Sequence, residues 1–273
     1  MKLLFREAAQ NCYQPETARI KKLESWIAQA ESARAKGNLE PRPNQYDKAE
    51  ELVTLYTFAP LVLGLNKVGL TNRILGLAGV SPFEENMEDW GLERQYPPSA
   101  GYLKWLRNYV KNHPISYIRQ QADEHRTNQR LESNTHVDAS IRTDKLLILF
   151  EIKFTSDISY GTTFNPCRNQ LARLIDVGLE AVKSSGKEVL VVLAAPSEFY
   201  ANGGRFYYYK VKDYSDPVLI QKDIPWRHVS QIRDSLLAVK LIDLKDLISL
   251  LYKDFVHPDR EQAMVFFKER NLA

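Results

Sequence analysis

Cysteine is scarce in this chain, and long apolar runs and a strong excess of one charge are missing. The 273 residues include 2 cysteines, Cys12 and Cys167, with no Cys-x-x-Cys pair and no histidine pair at the spacing of zinc ligands. We therefore expect reduced thiols, and neither a disulfide framework nor a structural zinc site. No stretch approaches the roughly 18 unbroken apolar residues of a membrane-spanning helix, so no membrane association is expected.

The charge balance leaves the class of partner open. The formal net charge at pH 7 is +3, from 37 lysines and arginines against 34 aspartates and glutamates. A value this small does not by itself indicate nucleic-acid binding, which depends on where the basic residues cluster. Arg6 and Glu7 interrupt the first apolar residues, which does not favour a secretory signal, so we expect a cytoplasmic protein.

The first hundred residues have the pattern of helices. Apolar residues recur at three- and four-residue spacing over 17–36, and a second helical stretch begins at Tyr46. The segment 81–100 is rich in Pro, Glu and Gly, and Tyr96-Pro97-Pro98-Ser99 predicts a hinge before a helix over 102–110. We therefore expect an α-helical N-terminal region for recognition or partner binding, residues 1–100, and a second domain over residues 101–273.

The second part of the chain has the pattern of strands that enclose a helix. Residues 135–141 alternate between polar and apolar, 145–154 are almost continuously apolar, and 188–195 form a run of Val and Leu. A helix is expected between the last two of these strands, with Asn165 as its N-cap and Pro166 at its first position.

Two further elements complete the expected fold. The tyrosine-rich residues 205–211 predict another strand, and leucines at helical spacing predict an amphipathic helix over 244–251. A continuously apolar strand is buried on both faces. The fold class is therefore expected to be α/β, with a mixed central sheet flanked by helices.

Three polar residues on the expected strands predict chemistry. Glu151 and Lys153 alternate along the apolar strand and so project from one face, and a short hairpin would bring Asp138 on the preceding strand beside them. For the Glu-x-Lys pair alone, a structural ion pair is the simpler interpretation. Two adjacent carboxylates repel each other unless a cation lies between them, so the addition of Asp138 favours a site for a hard, oxygen-liganded cation.

The arrangement of Asp138, Glu151-Ile152-Lys153, a following helix and a further apolar strand resembles the PD-(D/E)xK nuclease superfamily over roughly residues 115–212. The resemblance implies a restriction-endonuclease-like core. It also implies a magnesium or manganese ion held by Asp138, Glu151 and the carbonyl of Ile152, with Lys153 polarising the attacking water.

The same resemblance suggests further site residues. Val137 departs from the motif, which has proline there. Gln170 corresponds to a glutamine that approaches the site in recombination-type members similar to lambda exonuclease. The family also brings in a glutamate from the helix before the first core strand, for which Glu124 is preferred over Glu132. His136 shares the strand face of the aspartate and is a candidate for assisting it, or for a bystander hydrogen bond.

Four basic residues are candidates for contacts with phosphates, with simple solvation of the surface as the alternative: Arg142, Lys145, Arg168 and Arg173. Together these features predict a magnesium-dependent DNA nuclease, an endonuclease, in restriction, defence or repair. We expect DNA rather than RNA to be the nucleic acid that is bound and cut. The sequence does not decide between a monomer and a homodimer. The alternatives are a catalytically silent member of the same fold that binds nucleic acid or protein, and an α-helical interaction protein that matches the motif by chance. The presence of all three motif residues favours the enzyme.

Overall fold

The computed structural model describes residues 3–12, 17–36, 46–64, 69–81, 87–112, 131–162 and 164–273. The strands are β1 (Met87–Tyr96), β2 (Thr135–Thr143), β3 (Leu146–Ile152), β4 (Glu188–Ala195) and β5 (Leu236–Asp243). The helices are α1 (Arg6–Cys12), α2 (Thr17–Ala35), α3 (Tyr46–Val62), α4 (Leu70–Leu77), α5 (Ala100–Asn112), α6 (Gln170–Val182), α7 (Ser197–Tyr200), α8 (Phe206–Asp213), α9 (Pro217–Asp223), α10 (Val229–Ser235), α11 (Leu244–Tyr252) and α12 (Arg260–Lys268).

The strands form one mixed sheet in the order β1-β2-β3-β4-β5. β1 to β3 are antiparallel, and the turn between β2 and β3 is a tight hairpin at residues 143–146. β4 and β5 run parallel to β3, and α6 is the crossover from β3 to β4 that a parallel pair requires. The expected mixed sheet flanked by helices is confirmed.

Both faces of the sheet are buried, which explains why β3 has no polar alternation. Leu146, Ile148 and Phe150 face a core made with α3 and α11. Leu147 and Leu149 face the opposite core, which is made with α6. Every residue of β3 is buried, as expected for a central strand covered by helices on both sides.

The helices before residue 100 pack directly on the sheet and on the C-terminal helices. Phe58 on α3 meets Phe150 on β3 with ring centroids 5.3 Å apart, and Tyr56 meets Phe266 on α12 at 4.8 Å. The hydroxyl of Tyr252 on α11 donates to the carbonyl of Tyr56 at 2.6 Å. Residues on both sides of the predicted boundary therefore share one core. None of the helices in the described ranges is long and apolar enough to cross a membrane.

The segment before the predicted hinge contains β1, which is an edge strand of the sheet. Most of its side chains are only partly buried, and four of its ten residues are acidic or basic. An edge strand with charged side chains lacks the apolar pattern by which a central strand is recognised. The strand at residues 87–96 is therefore not predicted from the sequence, whereas the helix predicted over 102–110 is confirmed as part of α5.

Two further predictions, one of a strand and one of a helix start, need correction. Residues 206–213 form helix α8 rather than a strand, because the carboxylate of Asp157 accepts hydrogen bonds from the backbone N–H groups of Phe206 (2.7 Å) and Tyr207 (3.1 Å) and so caps the helix. α6 begins at Gln170, four residues later than expected. Its N-cap is Asn169, whereas Asn165 accepts from the backbone of Cys167 in the preceding turn.

Candidate metal-dependent active site

Pairing of β2 with β3 brings Asp138 beside Glu151. Ala139 on β2 lies opposite Phe150 on β3. Asp138 and Glu151 are the next residues on their strands away from the turn, so they also lie opposite each other. Asp138 Oδ2 accepts a hydrogen bond from the backbone N–H of Ile152 at 2.7 Å. The short hairpin thus places the two acidic residues as neighbours at the end of β3, away from the turn.

Each carboxylate has one oxygen that is fixed by the protein. Glu151 is 2% exposed, and its Oε1 accepts from Gln170 Nε2 at 2.5 Å and from Lys153 Nζ at 2.9 Å. Asp138 Oδ2 is fixed by Ile152, as described above. Asp138 Oδ1 and Glu151 Oε2 have no hydrogen-bond donor among the described residues, which leaves one oxygen of each carboxylate for a cation.

Glu50 on α3 holds Lys153 from the other side. Its Oε1 lies 3.0 Å from Lys153 Nζ, and its Oε2 accepts from Phe154 N at 3.1 Å and from Ser156 Oγ at 2.7 Å. One side chain therefore binds the lysine and fixes the backbone that follows it.

Glu50 was missed by the sequence analysis, which sought a helical glutamate at Glu124 or Glu132. The signal lay in chain order, since α3 is a long helix that precedes β1, but β1 was not recognised as a strand. Glu132 is instead a buried partner of Arg168 (3.0 Å) and of the Tyr102 hydroxyl. Glu124 lies outside the described residues.

The ionisation of the site is strongly perturbed. Burial raises the pKa of Asp138 well above its usual range, and the nearby charges of Glu151 and Glu93 raise it further. Burial also raises the pKa of Glu151, although the adjacent Lys153 opposes this. Burial lowers the pKa of Lys153, but its carboxylate neighbours outweigh this and the pKa is raised, so the lysine stays charged.

A further acidic side chain, that of Glu93, lies near Asp138. Glu93 on β1 lies level with Asp138 and has a φ of 51°, which is unusual for a residue other than glycine. Arg19 Nη2 lies 3.1 Å from Glu93 and also pairs with Glu51. Burial raises the pKa of Glu93. His136, the candidate assistant of Asp138, lies 4.0 Å from Glu93 Oε2.

The start of α6 ties the site to the loop after β3. Gln170 N donates to Ser159 O at 3.0 Å, and Gln170 Oε1 accepts from Ser159 N at 3.4 Å. Arg173 Nη2 donates to Ser159 Oγ at 3.1 Å, and its charge lowers the pKa of Glu151 by a small contribution. The structure therefore brings Gln170 and Arg173 to the predicted site.

The other basic candidates lie elsewhere. Arg168 is 0% exposed and pairs with Glu132 and Asp176, so its predicted contact with phosphate does not fit its burial. Arg142 lies four residues along β2 from Asp138, or about 13 Å, and Lys145 lies beyond it in the hairpin turn. Neither is placed to contact a phosphate bound at the carboxylates.

The oxygen donors suit a magnesium ion. Within the described ranges, no three His, Cys, Asp or Glu side chains form a ready-made cage for a metal. Magnesium is usually bound by one or two carboxylates, with waters and substrate phosphates as its other ligands. Asp138, Glu151 and the carbonyl of Ile152 fit that requirement.

In chelator, the contribution of Asp138 and Glu151 to the free energy of unfolding is expected to fall as the pH rises from about 4, the ordinary carboxyl range, through neutrality. Their raised pKa values mean that these two groups bind more protons in the folded state than in the unfolded state there, so this contribution decreases with pH. Asp138→Asn should reduce this slope and be more stable than the parent near pH 8. Urea unfolding across pH measures both effects.

The matched control is Asp254→Asn, which removes an exposed carboxylate paired with Arg73 at 3.3 Å. This control should keep the slope of the parent. If Asp138→Asn also keeps that slope, the two carboxylates are not repelling each other in the folded protein.

Comparison of the chain with protein-family models, with curated proteins and with solved structures finds no match in any of the three.

Proposed function

We propose that this protein is a metal-dependent nuclease with a restriction-endonuclease-like core of the PD-(D/E)xK type. The proposal depends on one observation, the pairing of Asp138 with Glu151 at the end of the buried strand β3. One oxygen of each carboxylate accepts a hydrogen bond from the protein, and the other is available to a cation. Lys153 Nζ lies 2.9 Å from Glu151 Oε1. Burying two like charges costs free energy, and a bound cation would offset that cost.

Each residue of the site would have its own role in phosphodiester hydrolysis. Asp138, Glu151 and the Ile152 carbonyl would hold magnesium or manganese, which when bound lowers the pKa of coordinated water and neutralises charge on the phosphoryl oxygens. Lys153, kept charged by its carboxylate neighbours, donates to the attacking water or to a phosphate oxygen. Gln170 fixes the orientation of Glu151 through their 2.5 Å hydrogen bond.

We propose DNA rather than RNA as the substrate and an internal cut as the mode of action. The competing proposal is a silent member of the same fold that only binds nucleic acid or protein. The presence of Asp138, Glu151 and Lys153 together in one cluster supports the enzyme, because a member of the fold that only binds has no need to keep all three.

The experiment is a digestion of supercoiled plasmid, linear duplex, single-stranded DNA and RNA in magnesium, manganese, calcium or chelator. Magnesium and manganese should support cleavage and chelator should abolish it. Calcium should bind without supporting much turnover, because its looser coordination positions the water poorly. Protein carrying Glu151→Gln, purified identically, controls for a contaminating nuclease. Absence of cleavage on every substrate would favour the silent binder.

A further inference from the structure

An exposed aromatic ring, packed on a half-buried one, lies in the loop that is hydrogen-bonded to Gln170 of the candidate site. Tyr160 is 65% exposed, the most exposed aromatic side chain of the described residues, and its ring packs on Phe206 with centroids 4.4 Å apart and planes 30° apart. The protein thus supports the tyrosine ring from one side and leaves much of the side chain in solvent. Such an arrangement is suited to stacking on a flat ligand.

The loop that carries Tyr160 is fixed in place. A side chain at Gly161 would come within 2.5 Å of the Pro166 carbonyl, so the loop packs on itself closely at that point. Asp157 ties the same loop to the start of α8 through the N–H groups of Phe206 and the next residue. The two rings therefore come from two segments that are hydrogen-bonded to each other, and little order has to be gained when a ligand binds.

The ring pair is linked to the catalytic carboxylate by a short chain of contacts. Tyr160 follows Ser159, which hydrogen-bonds Gln170 through both of its backbone groups, and Gln170 in turn donates to Glu151. A strand whose phosphate lies at Glu151 would therefore have neighbouring nucleotides near Tyr160.

The surroundings of the pair are complementary to a phosphate chain. Arg205 is the N-cap residue of α8 and immediately precedes Phe206, and its guanidinium lies 5.2 Å from the centroid of the Phe199 ring. Arg205 forms no ion pair with a carboxylate in the described part of the chain. Lys210 on the same helix is already paired with Asp223 at 2.7 Å and is left out of the proposal.

We propose that Tyr160 and Phe206 form a stacking platform for an unpaired base, and that Arg205 binds an adjoining phosphate. The proposal rests on the nuclease function and specifies its substrate as single-stranded DNA. In an intact duplex the faces of the bases are covered by their neighbours, so a protein ring cannot stack on them. Aromatic rings combined with cations are the usual means of binding single strands.

The experiment measures the anisotropy of a fluorescein-labelled single-stranded DNA 12-mer, and of the same label on a blunt duplex, in chelator so that nothing is cleaved. Tyr160→Ala should weaken binding of the single strand by about 5- to 150-fold, as expected for loss of one stacked base. Tyr160→Phe, which keeps the ring, should bind like the parent. Affinity for the duplex should be unchanged in all variants.

Tyr209→Ala is the matched control. Tyr209 is 54% exposed on α8 and its ring contacts Tyr208, not the proposed pair. It should keep the affinity of the parent. Melting temperatures of all variants should agree with that of the parent, because the substituted side chains are largely exposed.

The outcomes separate this proposal from the nuclease function. If the parent cleaves DNA with magnesium but Tyr160→Ala binds the single strand as tightly as the parent, the platform is wrong and the nuclease stands. If binding depends on Tyr160 but no substrate is cleaved, the platform stands and the nuclease proposal fails. Failure of the parent to bind the single strand, equal losses in Tyr160→Ala and Tyr209→Ala, or a parallel loss of duplex affinity overturns the platform.

Discussion

Replacing Asp138 by Asn, Glu151 by Gln or Lys153 by Met is expected to lower magnesium-dependent cleavage by at least about 100- to 1,000-fold. That loss corresponds to about 2.7–4 kcal/mol of transition-state stabilisation, within the contribution expected from metal positioning and water activation. The Asn and Gln variants keep the volume and the hydrogen-bonding groups of the carboxylates, so folding should survive. Lys153→Met also removes the counter-charge of Glu50 and Glu151 and is expected to lower the stability, so its rate is compared only after its fold is checked. Single-turnover cleavage of a labelled oligonucleotide measures the rate, and circular dichroism checks the fold.

Two further variants make this series more specific. Glu50→Gln keeps an acceptor for Phe154 N and Ser156 but removes the charge paired with Lys153, so a smaller loss of about 10-fold is expected. Asp254→Asn, at an exposed carboxylate, should cleave like the parent. Undiminished activity of Lys153→Met would remove the lysine from the mechanism. Equal losses in all variants would indicate damage to the fold.

Replacing Asp176 by Ala is expected to destabilise the protein by about 3–5 kcal/mol, the usual cost of removing one partner of a buried ion pair. Asp176 is 0% exposed, and its carboxylate accepts from Arg168 Nη1 at 3.0 Å and Arg227 Nε at 2.6 Å. Arg168 is equally buried, and its guanidinium lies 3.6 Å from the centroid of the Tyr102 ring. Without Asp176, two guanidinium groups would lose their shared counter-charge. Urea unfolding measures the change.

Glu180→Ala is the control for this prediction. Its side chain is 31% exposed and pairs with Arg227 at 2.9 Å, so its loss should cost no more than about 1 kcal/mol. A smaller effect of Asp176→Ala than of Glu180→Ala would show that the buried network is not what holds α5, α6 and the segment before α10 together.

The parts of the site that the sequence predicted are those set by local rules. Asp138, Glu151 and Lys153 lie on two strands joined by a tight hairpin, so side-chain alternation and one turn suffice to place them. Glu50 binds Lys153 from 103 residues earlier in the chain, and no periodicity reveals a contact of that range. Its place depends on how α3 packs on the sheet, which is a property of the whole core.

The remaining errors have the same origin. The sequence predicts a surface cation at Arg168, because nothing in it shows that the residue pairs with the buried carboxylates of Glu132 and Asp176. Helix α8 was taken for a strand because tyrosines favour strands, whereas a cap from distant Asp157 outweighs that local preference. Local preferences are weak compared with packing and capping contacts of this kind.

The contact between Glu50 and Lys153 joins the first part of the chain to the candidate site. A fragment beginning at residue 101 would lack Glu50, β1 and the aromatic side chains of α3 that pack on β3. In this fragment Lys153 would keep its contact with Glu151 but lose its contact with Glu50. The apolar face of β3 that α3 covers would be exposed and would favour aggregation. Loss of Glu50 alone would change the direction of the Lys153 ammonium but leave the hydrogen bond between Asp138 and the Ile152 N–H in place. Metal affinity is then expected to change less than the rate of cleavage.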